Sequence, residues 1–115
     1  MKPSHVCSLF AVVCSSAVSA ESYVIGVEKL AFAPHYSIDA QGQYQGFARE
    51  LFDLFAQTSG VELSYKVLPV EQLLPALLNG QVDFKYPDSE TWAQEQKAGK
   101  TLSYSQGVVE YVDGV

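Results

Sequence analysis

Arginine, cysteine and histidine are scarce in this 115-residue chain, and each scarcity excludes a class of function. The single arginine, Arg49, stands in no run of basic residues, so nothing in the sequence is suited to neutralising the phosphates of a nucleic acid. The two cysteines, Cys7 and Cys14, lie within the first twenty residues, as does one of the two histidines. If that segment is removed, His35 alone cannot form a zinc site or a triad with a cysteine nucleophile. We expect no nucleic-acid partner, no metal site, no cofactor and no catalytic residue.

A run long enough to span a bilayer is also absent, and the first twenty residues have the pattern of a secretory signal peptide. Lys2 precedes an apolar run over residues 6–13, and residues 18–20 (VSA) form a small-residue cleavage pattern. The run is too short for a membrane anchor, and a short buried helix is the other alternative. We predict cleavage after Ala20, export to the periplasm, and a mature chain that has no thiol and is not inserted in a membrane.

What the chain does contain is enough apolar residues to build a core. Apolar residues make up 48% of it and charged residues 17%, which excludes a disordered chain, and the length allows one domain. Without the first twenty residues, six basic residues face thirteen acidic ones, a formal charge of −7. This balance favours a soluble protein.

Short apolar strands alternate with amphipathic helices along the mature part of the chain. The sequence predicts strands over residues 23–27, 63–67, 82–86 and 108–112, a hairpin from residues 36–38 and 43–45, and helices within residues 42–59, 71–79 and 88–100. Strands separated by amphipathic helices form a parallel sheet with right-handed crossovers, which is the α/β class. In such sheets, small molecules bind beyond the carboxyl ends of the strands.

Three local features refine this prediction. The stripe Phe47, Leu51, Leu54 and Phe55 is expected to face the core from the first long helix, because its members recur at helical spacing. The second helix should bury leucines and remain about two turns long because of Pro75. A short third helix is expected to be capped by a polar side chain, Ser89 or Asp88.

A series of short motifs then resembles the N-terminal half of a bacterial extracellular solute-binding protein of family 3, the periplasmic component of polar amino-acid ABC transporters. In chain order they are IGV at 25–27, Ala33-Pro34, Asp39 with Gly42 ahead of Gly46-Phe47, Glu50-Leu51, LLPAL at 73–77, GQVD at 80–83 and Tyr104-Ser105. The resemblance implies an α/β fold: a periplasmic-binding-protein-like (type II) lobe, with a mostly parallel sheet, helices on both faces, and an incomplete second lobe.

The resemblance also implies a function. Residues 1–20 would be the signal peptide, and residues 21–115 the first lobe of a two-lobed clamp, truncated near its hinge strand at 108–112. The clamp would be a monomer that captures a small polar, amino-acid-like solute in the cleft between its lobes and delivers it to a membrane permease. The alternative is an enzyme or sensor-associated lobe on the same fold: a dehydratase, a kinase sensor domain or a regulatory lobe of a peptidoglycan-cleaving enzyme.

The sequence departs from the family pattern at the expected carboxylate contact. Amino-acid-binding members usually carry an arginine after the third strand, but residues 85–92 (KYPDSETW) contain none. Lys85 is left to supply a positive charge there, so a modified, cationic or uncharged solute remains open.

Eight residues near the strand ends are the candidates for ligand binding: Glu28, Phe32, Tyr36, Lys85, Tyr86, Asp88, Trp92 and Tyr104. Structural roles remain open for some of them. Phe32 and Tyr36 would otherwise cover the hairpin, and Trp92 would pack the short helix. Asp83, although part of a family motif, is predicted to bond backbone N–H groups. A carboxylate pair from Glu28 and Asp88 would be the acid/base machinery of an enzyme on this fold.

Overall fold

A computed structural model of the chain describes residues 20–110. Its elements in chain order are β1 (Ser22–Glu28), β2 (Ser37–Ile38), β3 (Tyr44–Gln45), α1 (Phe47–Ser59), β4 (Glu62–Leu68), α2 (Val70–Leu78), β5 (Phe84–Tyr86) and α3 (Gln94–Lys97). The predicted signal peptide, apart from Ala20, lies outside the described residues. The predicted strand at 108–112 is not formed at residues 108–110, and its last two residues lie outside the described part.

The main sheet has the strand order β4-β1-β5, and both pairings are parallel, as predicted. β1 is central and pairs with β4 along its full length, from Ser22 opposite Glu62 to Glu28 opposite Leu68. The third strand is shorter than predicted because Asp83 bonds Val24 with both its backbone and its side chain. Its N–H donates to the Val24 carbonyl at 2.8 Å, and its carboxylate accepts the Val24 N–H at 2.8 Å. The predicted backbone-bonding role of Asp83 is thereby confirmed.

Alternate residues of β1 face two different layers of the molecule. Ile25 and Val27 belong to a buried cluster with residues of the hairpin and with Ala48 of α1. Gly26 faces the opposite layer, where a Cβ atom would lie 3.1 Å from the side chain of Leu73 in α2. Helices therefore pack on both faces of the sheet, as the resemblance implied.

The prediction of which face α1 buries was wrong. Phe47, Leu54 and Phe55 are 47%, 57% and 55% exposed, whereas Ala48 is fully buried and Phe52 packs on the core. Ala48 and Phe52 are also spaced at i, i+4, so the helix carries two apolar stripes and the sheet takes the narrower one. The start of the helix fixes this choice, because its first two N–H groups donate to the carbonyls of residues 34 and 35 at 3.0 and 2.9 Å.

Helix α2 closely matches its prediction. It buries Leu73, Leu74 and Ala76, and it holds Pro75 on its exposed side. Asn79 is the C-terminal cap and Gly80 follows with a φ of 76°, which completes the predicted stop. Within residues 20–110, no helix is long and apolar enough to cross a membrane.

The predicted hairpin is present as the antiparallel pair β2 and β3. Asp39 organises its turn: the side-chain oxygen Oδ1 accepts the N–H groups of Gln41 and Gln43, both at 2.9 Å. Gly46 then leads into α1 with a φ of 112°, and a Cβ atom there would lie 2.8 Å from the His35 carbonyl oxygen. Only glycine fits between the hairpin and the preceding loop.

The short third helix is not capped as predicted. Ala93 is its N-terminal cap and contributes no side-chain bond. Asp88 is instead held by two lysines, and the Ser89 hydroxyl accepts the N–H of Thr91 in a local turn. Polar residues ahead of this helix thus organise the preceding segment rather than the helix itself.

Candidate functional site

The three parallel strands end side by side at Glu28, Leu68 and Tyr86. A pocket of about 240 Å³ opens at this edge, on the face of the sheet that α2 covers. Its walls come from the tip of β1, the first turns of α2, the end of β5 and the start of α3. The lining residues are Glu28, Val70, Glu71, Leu74, Lys85, Asp88, Trp92, Ala93 and Gln96.

Glu28 is the buried carboxylate of this pocket, with 7% of its surface exposed. The Tyr36 hydroxyl donates a hydrogen bond to its Oε2 atom. Among the described residues, no donor lies within hydrogen-bond distance of the other oxygen, Oε1. Burying a carboxylate is costly unless its acceptors are satisfied, so Glu28 offers the pocket an anchored acceptor that a solute can complete.

A three-residue ion cluster forms the opposite wall. Asp88 lies 3.0 Å from the Lys85 ammonium and 3.0 Å from the Lys97 ammonium, and all three side chains are about nine-tenths buried. Lys85 also donates to the Pro87 carbonyl at 2.8 Å, and Lys97 to the Ser89 carbonyl at 2.8 Å. Burial favours a raised pKa for Asp88, but the hydrogen bonds from Lys97 and Lys85 outweigh it and hold that pKa below its ordinary value.

Two aromatic rings lie against these lysines. The Lys85 ammonium is 5.8 Å from the centre of the Trp92 ring, and the Lys97 ammonium is 5.4 Å from the centre of the Tyr104 ring. Burial favours a lowered pKa for Lys97, but its contacts with Tyr104 and Asp88 raise that pKa above its ordinary value. Both lysines are therefore held as cations whose charge is offset from within the cluster.

The other predicted aromatic residues lie on the α1 face of the same edge. Phe32, His35, Tyr36 and Tyr86 pack as a connected group of rings with centres 4.9 to 5.7 Å apart. His35 Nε2 and the Tyr86 hydroxyl are hydrogen-bonded. Burial lowers the pKa of His35, against a weaker opposing effect of Glu28. Tyr36 is buried in the core, whereas Phe32 is partly exposed at the rim.

The structure therefore divides the eight predicted residues between two groups. Glu28, Lys85, Asp88 and Trp92 line one pocket; Phe32, Tyr36 and Tyr86 form the aromatic group, and Tyr104 contacts the ion cluster through Lys97.

Sequence reasoning missed Glu71 and Lys97. Glu71 lies in the first turn of α2, directly after a parallel strand, and this position signals the carboxyl edge. Lys97 had no comparable signal, because a long-range contact joins it to Asp88. Arg49 is far from this chemistry: it is paired with Asp53 on α1 and stacked 4.4 Å from the ring centre of Tyr65.

This arrangement is better suited to binding than to proton transfer. Two lysines hold Asp88 ionised, which makes it a poor general acid for a pair with Glu28. In residues 20–110, no group of three His, Cys, Asp or Glu side chains is placed to hold a metal ion. What remains is a pocket with one open acceptor, an ion cluster and an indole ring, which can orient a small polar molecule.

Comparisons with known proteins point in one direction. The family model of the bacterial extracellular solute-binding proteins, family 3, matches residues 23–112. A probable histidine-binding protein of Neisseria gonorrhoeae is 36% identical over 52 residues, which are 45% of this chain and 19% of that protein. The chain thus spans about a fifth of the length of that curated relative.

Two solved structures share the fold. The L-cystine solute receptor of Neisseria gonorrhoeae, in its unliganded open conformation, aligns with a TM-score of 0.56 and 21% identity over 70% of this chain and 34% of that one. The arginine-bound form of domain 1 from TmArgBP aligns with a TM-score of 0.52 and 24% identity over 64% of this chain and 60% of that one. The observed sheet, with its flanking helices, is therefore a partial lobe of the type II periplasmic binding proteins.

Proposed function

Because the chain belongs to the bacterial extracellular solute-binding proteins, family 3, we propose that it captures a small polar, amino-acid-like solute at the carboxyl edge of its sheet. The observation that carries the proposal is the pocket at the tip of β1, where a buried carboxylate, Glu28, keeps one oxygen open to the solute. The strand order supports it, since β1 lies between β4 and β5 and the chain leaves it in one direction and returns on its other side.

In this proposal, residues 21–115 supply the first lobe and a second lobe closes over the solute. The pocket, at about 240 Å³, is smaller than the roughly 300–1,000 Å³ of complete small-molecule sites. One lobe that provides only part of the site accounts for that size. Residues 1–20 act as a signal peptide, and the mature protein works in the periplasm as a monomer that passes its solute to the permease of an ABC transporter.

The solute class rests on the relatives and on the pocket lining. The curated relative is described as a probable histidine-binding protein, which supports a nitrogen-containing, amino-acid-like solute. Trp92 adds a flat surface for an amine or a planar group, and Glu28 adds an acceptor. The protein releases the solute unchanged, because the pocket offers no pair of groups tuned for opposite steps of proton transfer.

The lone tryptophan provides a direct assay. We expect the fluorescence of Trp92 to change when amino acids or amines are titrated into the purified full chain, with calorimetry giving the same dissociation constant. Glu28→Gln should weaken binding at least about tenfold, because it removes a charged acceptor. Glu50→Gln is the matched control, since it makes the same change on the exposed surface of α1. Binding by Glu28→Gln at the strength of the unmodified chain would contradict the proposal, as would conversion of the solute on incubation.

A further inference from the structure

The charges around the pocket are unbalanced towards the negative. Three lining carboxylates, Glu28, Glu71 and Asp88, face one lining ammonium, Lys85, which leaves a formal charge of −2. Lys97 lies behind Asp88 and reduces this to −1. A solute that brings a positive charge would balance this excess.

The two lysines have little left to offer a negatively charged solute. Lys85 already donates to a carbonyl and to Asp88, and its remaining side faces the ring of Trp92. Lys97 donates to both oxygens of Asp88 and to the Ser89 carbonyl. A carboxylate entering this pocket would have to displace Asp88 from one of these lysines or be desolvated without a partner, and either costs free energy.

The groups that do remain available are suited to an organic cation. Glu28 has an open oxygen, Glu71 is exposed at the start of α2, and Trp92 presents its ring. Between these groups the lining is apolar, from Val70 and Leu74. This combination matches an alkyl or heteroaromatic chain with a cationic nitrogen.

We propose that the solute is an amine or guanidine cation that lacks a carboxylate, recognised by Glu28 and Trp92 while the Lys85, Asp88 and Lys97 cluster keeps carboxylates out. This inference rests on the proposed solute-binding function and narrows its solute class. It differs from that function in one measurable respect, because it ranks an amine above the amino acid from which it differs by a carboxylate.

Calorimetric titration of the purified full chain with matched pairs tests the ranking. The pairs are agmatine with L-arginine, cadaverine with L-lysine, and histamine with L-histidine, together with L-glutamine and L-cystine as further amino acids. In every pair that binds, the amine is expected to bind at least about tenfold more tightly than the amino acid, since the carboxylate finds no free cation.

A change of the ion cluster provides a second measurement. Asp88→Asn releases Lys85 and Lys97, so the preference for the amine should fall at least about tenfold, while Glu50→Gln should leave the preference unchanged. Circular dichroism confirms that each variant is folded before its preference is compared. The ligand pairs on the unmodified chain stand on their own if Asp88→Asn does not fold.

The outcomes separate the inference from the function on which it rests. An amino acid that binds as tightly as its amine, or glutamine or cystine binding in preference to all amines, overturns the inference and leaves solute capture in place. Absence of binding by every compound, in calorimetry and in Trp92 fluorescence, overturns both. An undiminished amine preference in folded Asp88→Asn overturns the role of the cluster.

Discussion

The two faces of the sheet meet at the same strand ends but use them in opposite ways. On the α1 face, rings fill the space: Tyr36, Tyr44 and Tyr65 stack in series with centres 5.9 and 5.5 Å apart, and Phe52 meets Tyr86 edge to face. On the α2 face, Gly26 lets the helix approach closely, and beyond that contact the strand tips border a charged pocket. One face is closed by aromatic volume and the other is left open.

The difference follows from the alternation of β1. Ile25 and Val27 place apolar side chains on one face, whereas Gly26 and Glu28 place a hydrogen atom and a carboxylate on the other. Tyr36 links the faces, because its ring belongs to the closed side and its hydroxyl holds the carboxylate of the open side. A rigid aromatic layer thus positions the acceptor of the pocket.

The largest effect is expected at the glycine that lets the closed face assemble. Gly46→Ala should destabilise the protein by about 4 kcal/mol or prevent folding, because the new Cβ overlaps the backbone of residues 35 and 36 and the φ of 112° suits only glycine. Gly42→Ala is the matched control, with a φ of 79° but open space, and should cost about 1 kcal/mol. Equal urea midpoints for the two variants would refute the close approach.

A smaller loss is expected from the core of the open face. Leu73→Ala should lower the free energy of unfolding by about 3 kcal/mol, because Leu73 is fully buried under α2. Leu54→Ala, on the exposed side of α1, should change it by less than about 0.5 kcal/mol. Urea denaturation of both variants measures the difference, and a larger loss from Leu54→Ala would restore the originally predicted face of α1.

Two tyrosines of the closed face should respond differently to loss of a hydroxyl. Tyr36→Phe should cost about 2 kcal/mol, because Glu28 loses the donor to its buried carboxylate. The Tyr44 hydroxyl is buried and finds no hydrogen-bond partner among residues 20–110, so Tyr44→Phe should be neutral or stabilising. Thermal unfolding measures both, and a greater loss from Tyr44→Phe would show that the faces are linked at a different ring.

The smallest expected effect is a change in pH dependence on the open face. Because the pKa of Asp88 is lowered in the folded protein, its contribution to stability is present above its unfolded value and is lost as pH falls through the folded value. Asp88→Asn should therefore flatten the decline in unfolding free energy below about pH 4. Glu50→Gln should retain the decline, and an unaltered decline in Asp88→Asn would place the acid-sensitive group elsewhere.

The elements of the fold were readable from the sequence where local pattern and packing agree. The parallel strands, the hairpin turn at Asp39 and the leucine face of α2 were predicted because each depends on residues close together in the chain. The face of α1 was mispredicted because two apolar stripes compete on that helix, and the contact of its first turn with residues 34 and 35 decides between them.

The candidate site was readable only in part. Glu28, Lys85, Asp88 and Trp92 were found because the carboxyl ends of parallel strands converge. The division of the predicted residues between two faces was not, since it depends on which way each strand end turns its side chains. Lys97 was missed because its partner, Asp88, lies nine residues earlier, across an irregular segment.

By itself, the sequence determined the strand and helix alternation, the family, and the residue types available at the strand ends, since periodicity and motif order are properties of neighbouring residues. Only the tertiary structure decided that Asp88 occupies both lysines and that one oxygen of Glu28 stays open. Charge pairing depends on distances between segments remote in sequence, and hydrophobic periodicity carries no information about those distances.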